Sequence, residues 1–129
     1  MKLGMNDMCF ACGRENPIGL KLSFEFDGDD YATTFRVRPE YQGWPGIAHG
    51  GLLSTVLDET MARLLWAKRL DAITARLEVR FRQPLPVGET VGVRARITRQ
   101  RPPVVETAAE ARLSDGTLVA EAKALSMQT

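Results

Sequence analysis

A chain of 129 residues, 44% hydrophobic and 26% charged, has the composition of one globular domain with an adequate core. Its 17 Lys+Arg against 16 Asp+Glu leave a formal net charge of +1, which excludes the broad basic field of a nucleic-acid binder. No apolar run approaches the roughly 20 residues of a membrane span and Met1 to Asp7 lack a hydrophobic signal core, so no membrane partner and a cytoplasmic location are expected.

Residues 1–19 read as an N-terminal arm to a single domain spanning 1–129, with Asn16-Pro17 forming a turn. Cys9 and Cys12 make one C-x-x-C, half of a zinc site at most, and no second Cys/His pair completes it, so neither metal nor other cofactor is expected. Leu20 to Asp27 alternates Leu20, Leu22, Phe24 and Phe26 with polar residues, the pattern of a half-buried strand. Gly28-Asp29-Asp30 turns the chain into a second strand through Tyr31, Thr33, Phe35 and Val37, which Pro39 stops.

Tyr41 to Ala48 is a loop punctuated by Gly43, Pro45 and Gly46. From Gly51 to about Arg69 the chain is rich in Leu, Met and Ala and reads as the one long helix. Leu53, Leu57 and Leu64 centre its apolar face, flanked by Val56 and Met61. Asp58 points away from that centre, on a side shared with Ser54, Ala62 and Leu65. Glu59 is turned about 100° further and is expected in a surface or interface salt bridge. Four more alternating stretches follow, through Ala75–Phe81, Val91–Ile97, Val105–Leu113 and Leu118–Ala124. About six strands and one helix, with the last four strands in meander order, predict an α+β antiparallel sheet wrapped around that helix.

The start of the helix carries chemistry. Unpaired N–H groups and the positive end of the macrodipole at Gly50 and Gly51 suit a polarised carbonyl, and Asp58 offers a carboxylate to activate water or to attack an acyl carbon. A lone helical carboxylate is more often a solvated or salt-bridged group, and a lone histidine beside glycines is by default a loop residue ordering its own turn.

Gly46-Ile47-Ala48-His49-Gly50-Gly51, with Asp58 nine residues after the histidine, resembles the active-site loop and helix of hotdog-fold acyl-CoA thioesterases of the phenylacetate-pathway, PaaI-like type. Cys9-Phe10-Ala11-Cys12-Gly13, Asn16-Pro17, Tyr41-Gln42-Gly43 and the stretch from Thr74 through Phe81, Pro84 and Pro86 fit the same family. The resemblance implies a hotdog fold and hydrolysis of an acyl-CoA to free acid and CoA, with no cofactor. It implies that Asp58 is general base or nucleophile, that the Gly50 amide binds the thioester oxygen, and that His49 orders or assists that hole. It further implies a homodimer or homotetramer with the site at the subunit interface, Thr74 from one subunit completing Asp58 of the other. Where some relatives carry a water-holding Asn or Gln, this chain has Gly43, with Gln42 beside it.

Gly51, Gln42, Trp44, Arg80 and Arg82 are the substrate-binding candidates, the arginines for CoA phosphates. Trp44 is either a border of the acyl pocket or a loop aromatic packed on its neighbours. Two alternative functions stand beside hydrolysis: an enoyl-thioester hydratase or dehydratase, and a non-catalytic acyl-CoA sensor, for which the arm is too short to be a DNA-binding segment. Aryl, short and medium acyl chains are all compatible with the sequence.

Overall fold

The computed structural model describes residues 3–129; Met1 and Lys2 of the arm lie outside the described residues. The chain forms β1 (Glu25–Asp27), β2 (Asp30–Arg36), a short 3-10 turn (Pro39–Tyr41), α1 (Gly50–Ala67), β3 (Ala72–Phe81), β4 (Thr90–Arg101), β5 (Val104–Arg112) and β6 (Leu118–Gln128). The six strands make one antiparallel sheet in the order β1-β2-β4-β5-β6-β3, with α1 packed across it.

Helix α1 buries the face that its periodicity predicts. Leu53, Val56, Leu57, Met61 and Leu64 are all buried, against Val91, Val93 and Ala95 of β4 and the inward residues of β5 and β6. Ala109, Ala111, Ala120, Ala122 and Ala124 dominate the inward faces of β5 and β6, and their short side chains let a helix lie close to the sheet. Leu65, expected beside Asp58, is also buried, so the apolar stripe is wider than the sequence indicates. The helix ends two residues before Arg69, which takes φ +61. The Arg69 and Leu70 amides then bond back to the Trp66 and Leu65 carbonyls, closing a Schellman turn.

Three expectations change. The last four strands do not run in meander order: β3 lies at the far edge beside β6, and only β4, β5 and β6 are sequential neighbours. The helix carries the chain from one side of the sheet to the other, and residues 82–89 bring it back to place β4 beside β2. On β3, the predicted apolar face is largely outside the core. Only Val79 packs there, while Leu77 and Phe81 are exposed, because β3 is an edge strand whose register shifts between Thr74 and Arg76.

The first strand is also shorter than predicted. Only Glu25–Asp27 pairs with β2, because Lys21 at φ +53 breaks the extended run and Leu20 and Leu22 turn to the arm. Their amides donate to the carbonyls of Phe10 (2.8 Å) and Ala11 (2.9 Å). The arm is therefore stitched to the domain, with Ala11 in the core. Gly13 makes that stitch possible: a Cβ there would lie 2.5 Å from the Cys9 nitrogen and against the Asp7 carbonyl, both backbone.

Gly13→Ala is therefore expected to detach the arm locally. Amide hydrogen exchange at Leu20 and Leu22 should rise by about tenfold or more, a loss of about 1.4 kcal/mol or more in local stability, with the β4 and β5 amides unchanged.

Candidate active site

The loop before α1 is held from both sides. Within it, Gly43 N–H donates to the Ile47 carbonyl (2.9 Å) and Ile47 N–H to the Trp44 carbonyl (3.0 Å). The returning segment 82–89 clamps it, Ala48 N–H reaching the Leu85 carbonyl (2.8 Å) and Val87 N–H the Gly46 carbonyl (2.9 Å). Leu85 is buried, so the two proline-flanked segments are anchored in the core rather than loosely apposed. Gln42 is spent on this loop: its Oε1 accepts from Gly46 N–H at 2.6 Å and its Nε2 donates to the Pro39 carbonyl at 2.8 Å. A side chain at Gly43 would meet His49 Cα at 3.1 Å, a close approach that favours glycine at this position.

His49 is the N-cap of α1, its backbone N–H bonded to the Tyr41 carbonyl (2.8 Å). Its Nδ1 accepts from Gly51 N–H at 2.9 Å, so the neutral ring carries its proton on Nε2. This divides the two glycines that look equivalent in the sequence. The Gly51 amide is capped by His49, whereas the Gly50 amide has no partner among the described residues. The Phe81 ring of β3 lies over Gly50, where a Cβ would be 3.3 Å from Cζ. Strand alternation predicts Phe81 on the core face; it walls the helix start instead, because β3 lies at the sheet edge.

Two turns along the helix, Asp58 is half-buried, and Thr74 Oγ1 at the start of β3 donates to its Oδ1 at 3.1 Å. The Asp58–Thr74 contact lies within one chain, which corrects the expectation that Thr74 comes from a second subunit. The helix C-terminal turn and a four-residue connection fold β3 back along the same flank. Burial raises the Asp58 carboxyl above its ordinary range, the Thr74 hydrogen bond opposes this, and the Glu59 charge adds to the rise. A carboxylate so held is a better base than a solvated one.

The remaining candidates are dispersed. Trp44 is 80% exposed and does not pack on its own loop. Arg82 is engaged with Glu121 at 3.0 Å, and Arg80 approaches Glu78 at 3.7 Å. Glu59 meets not a cation but Cys9, whose Sγ donates to its Oε2 at 3.4 Å across a separation of 50 residues, a contact no local pattern signals.

The description of the thioesterase superfamily matches residues 45–120 of the chain. Acyl-coenzyme A thioesterase THEM5 of Mus musculus is 35% identical over 54 residues, covering 42% of this chain and 22% of the relative. Acyl-coenzyme A thioesterase THEM4 of Bos taurus is 26% identical over 92 residues, covering 70% and 38%. The chain thus spans well under half the length of these two relatives. Among solved structures, the thioesterase superfamily protein RHA08564 superposes with a TM-score of 0.84 at 25% identity, over 89% of this chain and 60% of that one. The Escherichia coli PaaI protein of the phenylacetic acid degradation operon gives 0.79 at 20%, over 84% of each chain. A hypothetical thioesterase of Streptococcus pneumoniae, solved with coenzyme A, gives 0.78 at 18%, over 84% and 85%. These superpositions establish the hotdog arrangement of sheet and helix.

The raised Asp58 carboxyl has a thermodynamic consequence. An acid whose folded-state pKa exceeds its unfolded value favours folding at low pH, and that contribution is lost as pH rises through the folded value. Asp58→Asn is accordingly expected to raise the melting temperature by a few degrees near pH 7.5, the gain vanishing below about pH 3, where the carboxyl is protonated in both states. Thermal unfolding of both proteins across that range is the measurement.

Proposed function

The chain belongs to the thioesterase superfamily, and on that premise we propose that it hydrolyses an acyl-CoA thioester to the free acid and CoA. The observation that carries this reading is the Asp58–Thr74 pair, a half-buried carboxylate oriented by a hydroxyl on the flank of a helix whose first amide, at Gly50, has no partner among the described residues. In the proposed reaction Asp58 takes a proton from a water whose oxygen attacks the thioester carbon, or attacks that carbon itself to give an anhydride that water then opens. The charge developing on the thioester oxygen is held by the Gly50 N–H and the helix dipole, the C–S bond breaks, and CoA leaves as the thiol after protonation.

Geometry argues that one chain cannot supply both parts to one carbonyl. Eight residues of helix separate Gly50 from Asp58, about 12 Å along the axis, whereas both must lie about 3 Å from the reacting group. A dimer resolves this: Asp58 and Thr74 of one subunit work with the Gly50 amide of the other. Strand β3 is the sheet edge with an unpaired ladder, and Ile73, Leu77 and Phe81 expose apolar surface along it, as an edge awaiting a second copy would. Phe81 ties that edge to Gly50.

Two observations on the similar structures support these assignments. The Streptococcus pneumoniae protein was solved with coenzyme A, and its single alanine variants replace a threonine and an aspartate sixteen positions apart, the separation of Thr74 and Asp58 here. Of the arginines proposed for the CoA phosphates, Arg80 is the less committed, its carboxylate partner lying further away than that of Arg82.

Release of free thiol from a panel of acyl-CoAs tests the activity. Asp58→Asn is expected to lower kcat by about 10²–10⁴-fold. Gly50→Pro, which deletes the amide at a helix position that tolerates proline, should fall about 10²–10³-fold below Gly50→Ala, which keeps it. Mixing inactive Asp58→Asn and Gly50→Pro chains should restore about a quarter of parental activity, since half the dimers are mixed and each holds one intact composite site. No recovery in a mixture shown to exchange subunits would rule out the two-chain site, and full activity of folded Asp58→Asn would rule out the mechanism.

A further inference from the structure

We propose that Cys9, Cys12 and Glu59 form a zinc site between the arm and helix α1, with its fourth coordination position open to the adjoining cavity. The proposal stands apart from the thioesterase reading, since Glu59 is turned about 100° around the helix from Asp58.

The three donor atoms converge. Cys9 Sγ, Cys12 Sγ and a Glu59 carboxylate oxygen all lie within 4.8 Å of one another, and the Cys9 Sγ to Glu59 Oε2 separation is 3.4 Å. A tetrahedral ion with Zn–S of about 2.3 Å and Zn–O of about 2.1 Å sets an S···O edge of about 3.6 Å, so little movement is needed to close on one. The C-x-x-C spacing is that of paired zinc thiolates, and here it is formed into a turn by the Gly13 N–H bond to the Cys9 carbonyl at 2.8 Å. The stitch of Leu20 and Leu22 to Phe10 and Ala11 fixes this turn against the domain. A cavity of about 310 Å³ adjoins all three residues and is walled by Ala62, Leu70 and Ala72, which leaves room for a water or small anion as fourth ligand.

Charge balance points the same way. Two thiolates and a carboxylate would carry three negative charges. Arg63 supplies one positive charge: its Nη1 lies 3.1 Å from Cys12 Sγ, and its guanidinium is held over the rings of Phe24 and Trp66, each at 5.4 Å. A divalent cation supplies the other two. Arg63 would then act as an outer partner donating to a metal-bound sulfur, the usual way such sites orient their ligands. Without metal, burial and the neighbouring Glu59 push the Cys12 thiol up to about 12, with Arg63 opposing. Zinc binds thiolates, so each thiol that ligates it gives up its proton to solvent, while Glu59 enters as carboxylate. Two sulfur donors select zinc over magnesium or calcium.

The test uses the full chain, stripped of metal, kept reduced with a non-thiol reductant and titrated with Zn²⁺ against a chromophoric chelator. One equivalent per chain is expected, with Cys9→Ser and Cys12→Ser each abolishing stoichiometric binding and Glu59→Gln weakening it at least tenfold. Cobalt loading of the unmodified chain gives a readout that does not depend on the variants folding. It should produce thiolate-to-cobalt charge-transfer bands of two-sulfur intensity and visible bands of tetrahedral strength. Binding below a tenth of an equivalent with both thiols free, binding that survives both folded serine variants, or cobalt bound without the thiolate bands would each overturn the site.

Discussion

A single helix has to cover the apolar face of the sheet, and the rest of the molecule follows from how it does so. The eighteen residues of α1 contact β2, β3, β4, β5 and β6, burying Leu53, Val56, Leu57, Met61, Leu64 and Leu65 against them. No second α-helix among the described residues shares that burial, so the core depends on the helix lying close to the sheet, and the alanine-rich faces of β5 and β6 make the approach possible. The same constraint dictates the connections: a helix laid across the sheet delivers its chain to the opposite edge, and β3 is formed there rather than beside β4.

That route gives the helix two chemically distinct boundaries. At its start, the returning segment 82–89 clamps the glycine loop through Leu85 and Val87, and His49 caps Gly51 while the Gly50 amide has no partner among the described residues. Along its flank, β3 brings Thr74 onto Asp58. Main-chain bonds hold the loop at the helix start, and a side-chain hydrogen bond from Thr74 holds Asp58 on the flank. The Asp58 carboxyl resists ionisation where it sits, because burial disfavours its charged form.

The arm is more than a leader to the first strand. Its carbonyls take the amides of Leu20 and Leu22, Ala11 enters the core, and its cysteines meet Glu59 and Arg63 of the helix. Polar side chains of α1 outside the apolar stripe are thereby divided between two neighbours: Asp58 goes to β3, and Glu59 and Arg63 go to the arm.

Local pattern alone determined the helix and its apolar face, the alternating strands β2, β4, β5 and β6, and the α+β class, because periodicity and backbone punctuation are properties of adjacent residues. Only the tertiary structure decided which amide is free, where β3 sits and which residues meet. Gly50 and Gly51 differ through a histidine ring that folds back onto one of them, and Lys21 breaks a strand that alternation alone would have continued. Thr74 joins Asp58 within its own chain, and Glu59 finds Cys9 rather than a cation, because contacts 16 and 50 residues apart depend on how the helix crosses the sheet and carry no signal in the spacing of neighbours.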